Sequence, residues 1–147
     1  MNKLRKLITP CLLLLLLVTL CGCRLIRYTY SFAQDFENVD SIQICKYSYD
    51  EKSVTPLKQL SKDEQKEIWS DILVLTNHRH FNNYPTSMGE YVVFITYTDG
   101  TAEVLSAHNI ATVTKEGKWQ TGVDYFDSEE FQKLIAKYYT AEDGSFV

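Results

Sequence analysis

Proline occurs three times and glycine six times in 147 residues, and the four cysteines are too few for a disulfide-dense mini-scaffold. The same scarcity excludes a collagen-like fibre. Charged residues make up 23% of the chain and hydrophobic ones 45%, which excludes a disordered tail and a multi-span membrane protein. No Gly-x-Ser-x-Gly, His-Glu-x-x-His, Walker-type loop or dinucleotide fingerprint occurs. A basic stripe is also lacking. Lys and Arg supply most affinity for phosphate backbones, so no nucleic-acid partner is expected.

What the chain has is concentrated at its start. Lys3, Arg5 and Lys6 form a short positive segment, Cys11 to Leu20 is an almost unbroken apolar run that includes Leu12 to Leu17, and small Gly22 follows. That order is the pattern of a secretory signal. Residues 1–22 carry these three cations and no acid, so without them the net charge goes from −4 to −7. The remaining domain is acidic and a poor partner, as a whole, for a strongly anionic membrane surface.

The string Leu20-Cys21-Gly22-Cys23 resembles the lipobox of bacterial lipoproteins. The resemblance implies that residues 1–22 are a lipoprotein signal peptide and that Cys23 is the lipid-attachment residue, diacylated and left as the new N-terminus after cleavage. Gly22 then precedes the cut and Leu20 lies three residues before Cys23. Cys21 is the alternative, but it follows bulky Leu20 where a small residue is expected. Two acyl chains hold a protein on a bilayer stably where one holds it marginally, at ~0.8 kcal/mol for each buried methylene. The implied address is the cell membrane, lipid-anchored, on the extracytoplasmic face. The competing reading is an uncleaved membrane helix from Leu7 to Cys23, short for a span and interrupted by Pro10, with Arg24 and Arg27 against the usual charge bias.

Residues 23–38 form a membrane-proximal segment in which Ile26, Tyr28, Tyr30 and Phe32 alternate with period two. It packs on the domain or lies at headgroup level. Residues 39–147 are then expected to form a single domain. Ser41 to Tyr49 predicts a strand, and Asp50-Glu51-Lys52 a turn. Ser61 and Glu64 have capping-box spacing ahead of a helix over 62–76. A polar connector, 77–89, leads to a strand over 91–98, and Asp99-Gly100 signals a two-residue type I′ hairpin.

The returning strand runs from Ala102 to about His108 and is extended or bent through Ile110 to Thr114, with Asn109 as a bulge. Trp119, Thr121, Val123 and Tyr125 share one strand face. Asp127 and Glu130 repeat the capping-box spacing, and Phe131, Leu134, Ile135, Tyr138 and Tyr139 make the apolar stripe of a last helix over 128–139. The expected fold is α+β, two-layered, an antiparallel sheet with both helices packed on one face.

Chemistry-bearing residues are sparse. With Cys11 and Cys21 removed and Cys23 lipidated, Cys45 is the remaining thiol, and its apolar strand suits a small core residue. His78, His80 and His108 are the weak metal-ligand candidates: i and i+2 imidazoles share a strand face, but 77–89 reads as loop and no third ligand is fixed by spacing. Glu64 and Glu130 are assigned to caps, Asp99 to a turn and Glu129 to an i,i+4 pair with Lys133.

Tyr91, Val93, Ile95 and Tyr97 line one face of a strand and Val92, Phe94, Thr96 and Thr98 the other. Helices cover one face. The second either presents an aromatic surface or is covered by residues 24–38 or the 77–89 connector. Together these readings predict a membrane-anchored extracytoplasmic lipoprotein with a non-catalytic binding or regulatory domain and no cofactor. Its partners are the membrane, through the lipid at Cys23, and an envelope protein or peptide. The alternative is envelope capture of a small ligand or metal through the His78, His80 and His108 region.

Overall fold

The computed structural model describes residues 29–51, 53–79 and 88–140. Strands β1 (Val39–Ser48), β2 (Ser53–Gln59), β4 (Tyr91–Tyr97), β5 (Ala102–Leu105), β6 (Ile110–Val113) and β7 (Trp119–Thr121) make one antiparallel sheet in the order β2-β1-β4-β5-β6-β7. Strands β3 (Asn77–Arg79) and β8 (Asp124–Phe126) pair in a second, two-stranded sheet. The helices are α1 (Lys62–Val74) and α2 (Ser128–Tyr138). The fold is α+β, as the element pattern predicts.

The helix-bearing face of the sheet holds the main core. Alternation places Ile42 and Ile44 of β1 beside Val93, Ile95 and Tyr97 of β4, and these pack with Ile68 and Ile72 of α1 and Phe131, Leu134, Ile135 and Tyr138 of α2. Each such side chain, fully buried, contributes roughly 1.5–3 kcal/mol relative to exposure. Tyr30 belongs to the same core, so the chain before β1 packs on the domain. That strap, Tyr30 to Asn38, ends in a 3-10 turn at Phe36–Asn38, and Phe32 and Phe36 join the core from its margin.

The second face has a smaller core of Cys45, Met88, Val92, Val104 and Ala111, rimmed by half-buried Tyr47, Val54, Phe94 and Val113. Its centre is closed to solvent and its margin is open. Strands β1 and β7 are four positions apart in the sheet, which at ~4.8 Å per strand is roughly 19 Å. Yet the rings of Tyr47 and Trp119 lie 6.1 Å apart, so the sheet coils towards this face.

Both helices start as the sequence predicts, but their caps differ. At α1 the Ser61 hydroxyl accepts from Glu64 N and the Glu64 carboxylate accepts from Ser61 N, completing the reciprocal box. At α2, Asp127 accepts from Glu129 N and Glu130 N, while the Glu130 carboxylate turns away and accepts from Thr76 N (2.6 Å) and Thr76 Oγ1 (3.0 Å). Glu130 therefore joins the end of α1 to the start of α2. It does not close its own cap.

Several local expectations are corrected. Ser53–Gln59 forms an edge strand where no element was assigned between the Asp50-Glu51-Lys52 turn and Ser61, and Pro56 is tolerated because an edge leaves one side of the backbone unpaired. His78 lies on a strand, because Asn77–Arg79 finds a partner in Asp124–Phe126. The hairpin at Asp99-Gly100 closes through Gly100 N to Tyr97 O and Tyr97 N to Thr101 O, which makes its loop three residues, Thr98 to Gly100. Ile110–Val113 turns back to pair with Ala102–Leu105 and does not extend it. The Ser106 hydroxyl makes that reversal by accepting from Asn109 N and donating to Asn109 O.

The single strand expected from Trp119 to Tyr125 is divided between the two sheets at Gly122. Gly122 N donates to Ile110 O at 2.7 Å, and a Cβ there would sit 3.0 Å from that oxygen. Only glycine allows the approach without a shift. Among the described residues no helix is long and apolar enough to cross a membrane.

Candidate functional site

A concavity of about 430 Å³ lies between the first half of α2, the start of β4 and the Ser106–Asn109 turn. Tyr91, Ala107 and Ala136 supply accessible apolar wall, and His108, Gln132 and Lys133 stand at its polar side. The walls follow from local structure. Phe131 and Ile135 stand one turn apart in the buried stripe of α2 and back the pocket with almost no exposure, while Gln132 and Lys133 are exposed beside them.

His108 is positioned by the Ser106 hydroxyl, which accepts from His108 N at 3.2 Å. Its ring lies over Gly89, whose φ of +82° brings backbone rather than side chain beneath the imidazole. Glu129 and Lys133 pair at 2.6 Å along the rim, and that carboxylate raises the Lys133 ammonium above its usual range. Glu90, also on the rim, pairs with Lys46 at 3.1 Å. An apolar pocket with a few polar groups converging at its mouth suits a small apolar body or a side chain presented by a peptide.

The other candidate residues fall elsewhere. His78, on β3, stacks on Tyr125 with ring centroids 5.3 Å apart and brings Nε2 to 4.0 Å from Asp127 Oδ2, the carboxylate that caps α2. His108 lines the pocket, and His80 and Cys23 lie outside the described residues. Among the described residues no group of three or more His, Cys, Asp or Glu side chains is arranged to hold a metal. Cys45 is fully buried in the second core, and burial pushes its thiol up to about 11. That environment disfavours the thiolate a nucleophile needs.

A buried polar cluster escaped the sequence reading. Glu103, 2% exposed, accepts from the Tyr30 hydroxyl at 2.6 Å, from Ala33 N at 3.0 Å and from the Tyr97 hydroxyl. Burial, then the neighbouring carboxylate, holds the Tyr30 phenol far above its ordinary range, and the Tyr97 phenol is raised likewise. The available signal was one glutamate in the otherwise apolar string Ala102-Glu103-Val104-Leu105. Buried carboxylates require partners, and these came from the strap and from β4.

The chain matches no family model, no curated protein and no solved structure. Among the described residues the pocket beside α2 is open to an occupant, whereas the Glu103 cluster is a structural clamp whose polar atoms are satisfied internally.

Proposed function

We propose that the chain is an extracytoplasmic lipoprotein, anchored through lipid on Cys23, whose domain is a non-catalytic binding module that recognises an envelope protein or peptide at the pocket beside α2. The observation that carries the recognition reading is that pocket: accessible apolar wall from Tyr91, Ala107 and Ala136, with His108, Gln132 and Lys133 at the mouth to orient an occupant. The anchor rests on the signal pattern and on Leu20-Cys21-Gly22-Cys23.

Two measurements test the reading. The tagged full-length chain is expressed in a bacterial host and its N-terminal mass determined beside Cys23→Ala. A lipid-modified N-terminus at Cys23, lost in the variant, supports the anchor, and an unmodified, uncleaved chain refutes it. A photoreactive side chain is then placed at exposed Gln132, on the pocket, and separately at exposed Lys118, in the turn before β7. Crosslinking in intact cells to a discrete partner from position 132 and not from 118 is expected. Equal backgrounds from both positions would sink the proposed recognition site.

A further inference from the structure

We infer that one flank of α1 and the strap packed on it form a membrane-facing surface, in contact with lipid headgroups when the protein is anchored. The inference rests on the lipoprotein reading and adds an orientation to it. Six residues, Arg24 to Thr29, separate Cys23 from Tyr30, the first buried residue of the strap. Fully extended, the seven steps from Cys23 to Tyr30 reach about 25 Å. Whatever part of the domain lies nearest Tyr30 is therefore held against the bilayer, and that part has a distinct composition.

Lys62, Lys66, Trp69 and Leu73 stand at i, i+4, i+7 and i+11 of α1 and make one stripe along the helix. Gln65, Ile68 and Ile72 face the core beside it. On the other flank Glu64 is engaged by Lys58 and Asp71 by Lys137 and Tyr138. The strap lies on the first flank: Phe32 stacks on Trp69 with centroids 3.5 Å apart, and Phe36 meets the same ring edge-on at 5.4 Å. Leu73 is 39% exposed and Val74 79% exposed at the end of the helix.

Lysines with long aliphatic stems beside tryptophan, phenylalanine and leucine are the composition of a headgroup-level contact, where an apolar body meets lipid and a charged or polar tip meets water and phosphate. Arg24 and Arg27, between Cys23 and the strap in sequence, add two cations near the lipid-bearing residue along the chain. Near an anionic surface each such cation contributes ~1 kcal/mol, and on the surface itself exposed Asp35 and Glu37 offset Lys62 and Lys66, so the orientation rests on Trp69, Phe32, Phe36 and Leu73 and on the short connection to Cys23.

The chain has two tryptophans, one on each side of the question. Trp69 lies on the proposed flank, whereas Trp119 lies on β7 and reaches Tyr47 on the face of the sheet away from the helices. The chain from Cys23 onward retains every residue of both cores and is coupled through the Cys23 thiol to a maleimide lipid in vesicles containing phosphatidylglycerol and brominated phosphatidylcholine. Buried Cys45 does not compete. The Trp119→Phe variant reports on Trp69 alone and Trp69→Phe on Trp119 alone. Loss of Trp69 emission with Trp119 emission retained is expected, and Lys66→Glu with Leu73→Glu restores Trp69 emission.

Equal quenching of both tryptophans, stronger quenching of Trp119, or quenching of neither overturns the orientation; the last outcome would leave the flank free for a protein. Hydrogen exchange on the unsubstituted coupled chain gives a check that does not depend on a variant folding. Protection of 62–74 on vesicles, relative to the uncoupled chain, is expected, and unchanged exchange there counts against the contact. Chemical coupling supplies the anchor whether or not cells lipidate Cys23, so failure of the orientation and failure of the lipoprotein reading are separate results.

Discussion

The phenol of Tyr30 donates a 2.6 Å hydrogen bond to the carboxylate of Glu103 across 73 residues of sequence. With Ala33 N on the same oxygen and the Tyr97 hydroxyl on the other, this fastens the strap to the centre of the sheet. Gln34 Nε2 adds a bond to Thr101 Oγ1 at 2.9 Å. The strap is thus part of the folded domain.

Glu103→Gln replaces one accepting oxygen by a donor, leaving a buried phenol facing a group that cannot accept its proton. A loss of about 1–3 kcal/mol is expected, read as a fall in the urea midpoint at unchanged slope. Unfolded tyrosine ionises near pH 10, and Tyr30 and Tyr97 are held above that when folded. The folded state then binds the extra protons, so stability is full below about pH 10 and falls as pH rises beyond it. Tyr97→Phe, compared with the parent across pH 9 to 11.5, should show a shallower alkaline decline, and parallel declines would refute the linkage.

Glu64 has the opposite sign. Hydrogen bonding from Lys58, and then from Ser61, lowers its carboxyl to about 2. Its contribution is complete above the unfolded value near 4.3 and is lost as pH falls towards 2. Glu64→Gln is expected to flatten the melting temperature against pH between 5 and 2, while the decline below pH 5 persists in the parent. Identical slopes would show that the Ser61 cap and the Lys58 pair carry no pH-dependent stability.

Cys45 should be silent towards thiol reagents in the folded domain. Its thiol is raised to about 11 by burial, and its side chain has no exposure. In the chain from residue 23 onward, with Cys23→Ala to leave Cys45 as its one thiol, labelling at pH 8 is expected to follow global unfolding, tracking denaturant and not reagent access. Fast labelling without denaturant would show that the second face of the sheet opens locally.

Gly89→Ala tests the pocket. At φ +82° an L side chain is strained, and the added Cβ would lie 3.7 Å from His108 Nδ1. A loss of about 1–2 kcal/mol is expected from the backbone alone. The amide resonances of Ala107 and His108 should shift while those of α1 stay in place. A neutral substitution with an unmoved His108 would mean that the Gly89 backbone relaxes freely.

Legibility in the sequence tracked the range of the interaction. The α2 stripe from Phe131 to Tyr138 and the Ser61–Glu64 box were readable because spacing on a helix places their members together within one or two turns. The hairpin at Asp99-Gly100 was readable for the same reason, although its loop length was not, because Asp99 Oδ1 also gathers Thr101 N and Oγ1. Glu130 had the spacing of a cap and was recruited by Thr76, 54 residues earlier. His78 and His108 share a residue type but sit with different neighbours, Tyr125 and Gly89, which spacing could not foretell.

The sequence by itself determined the α+β class and the two helices, because each is written in residues close along the chain. Only the tertiary structure decided that Ser53–Gln59 pairs at the sheet edge, that Gly122 divides Trp119 to Phe126 between two sheets, and that Glu103 gathers Tyr30 and Tyr97. Those outcomes depend on which distant backbone or buried carboxylate needs a partner. That need exists only once the chain has collapsed and water is no longer available to meet it.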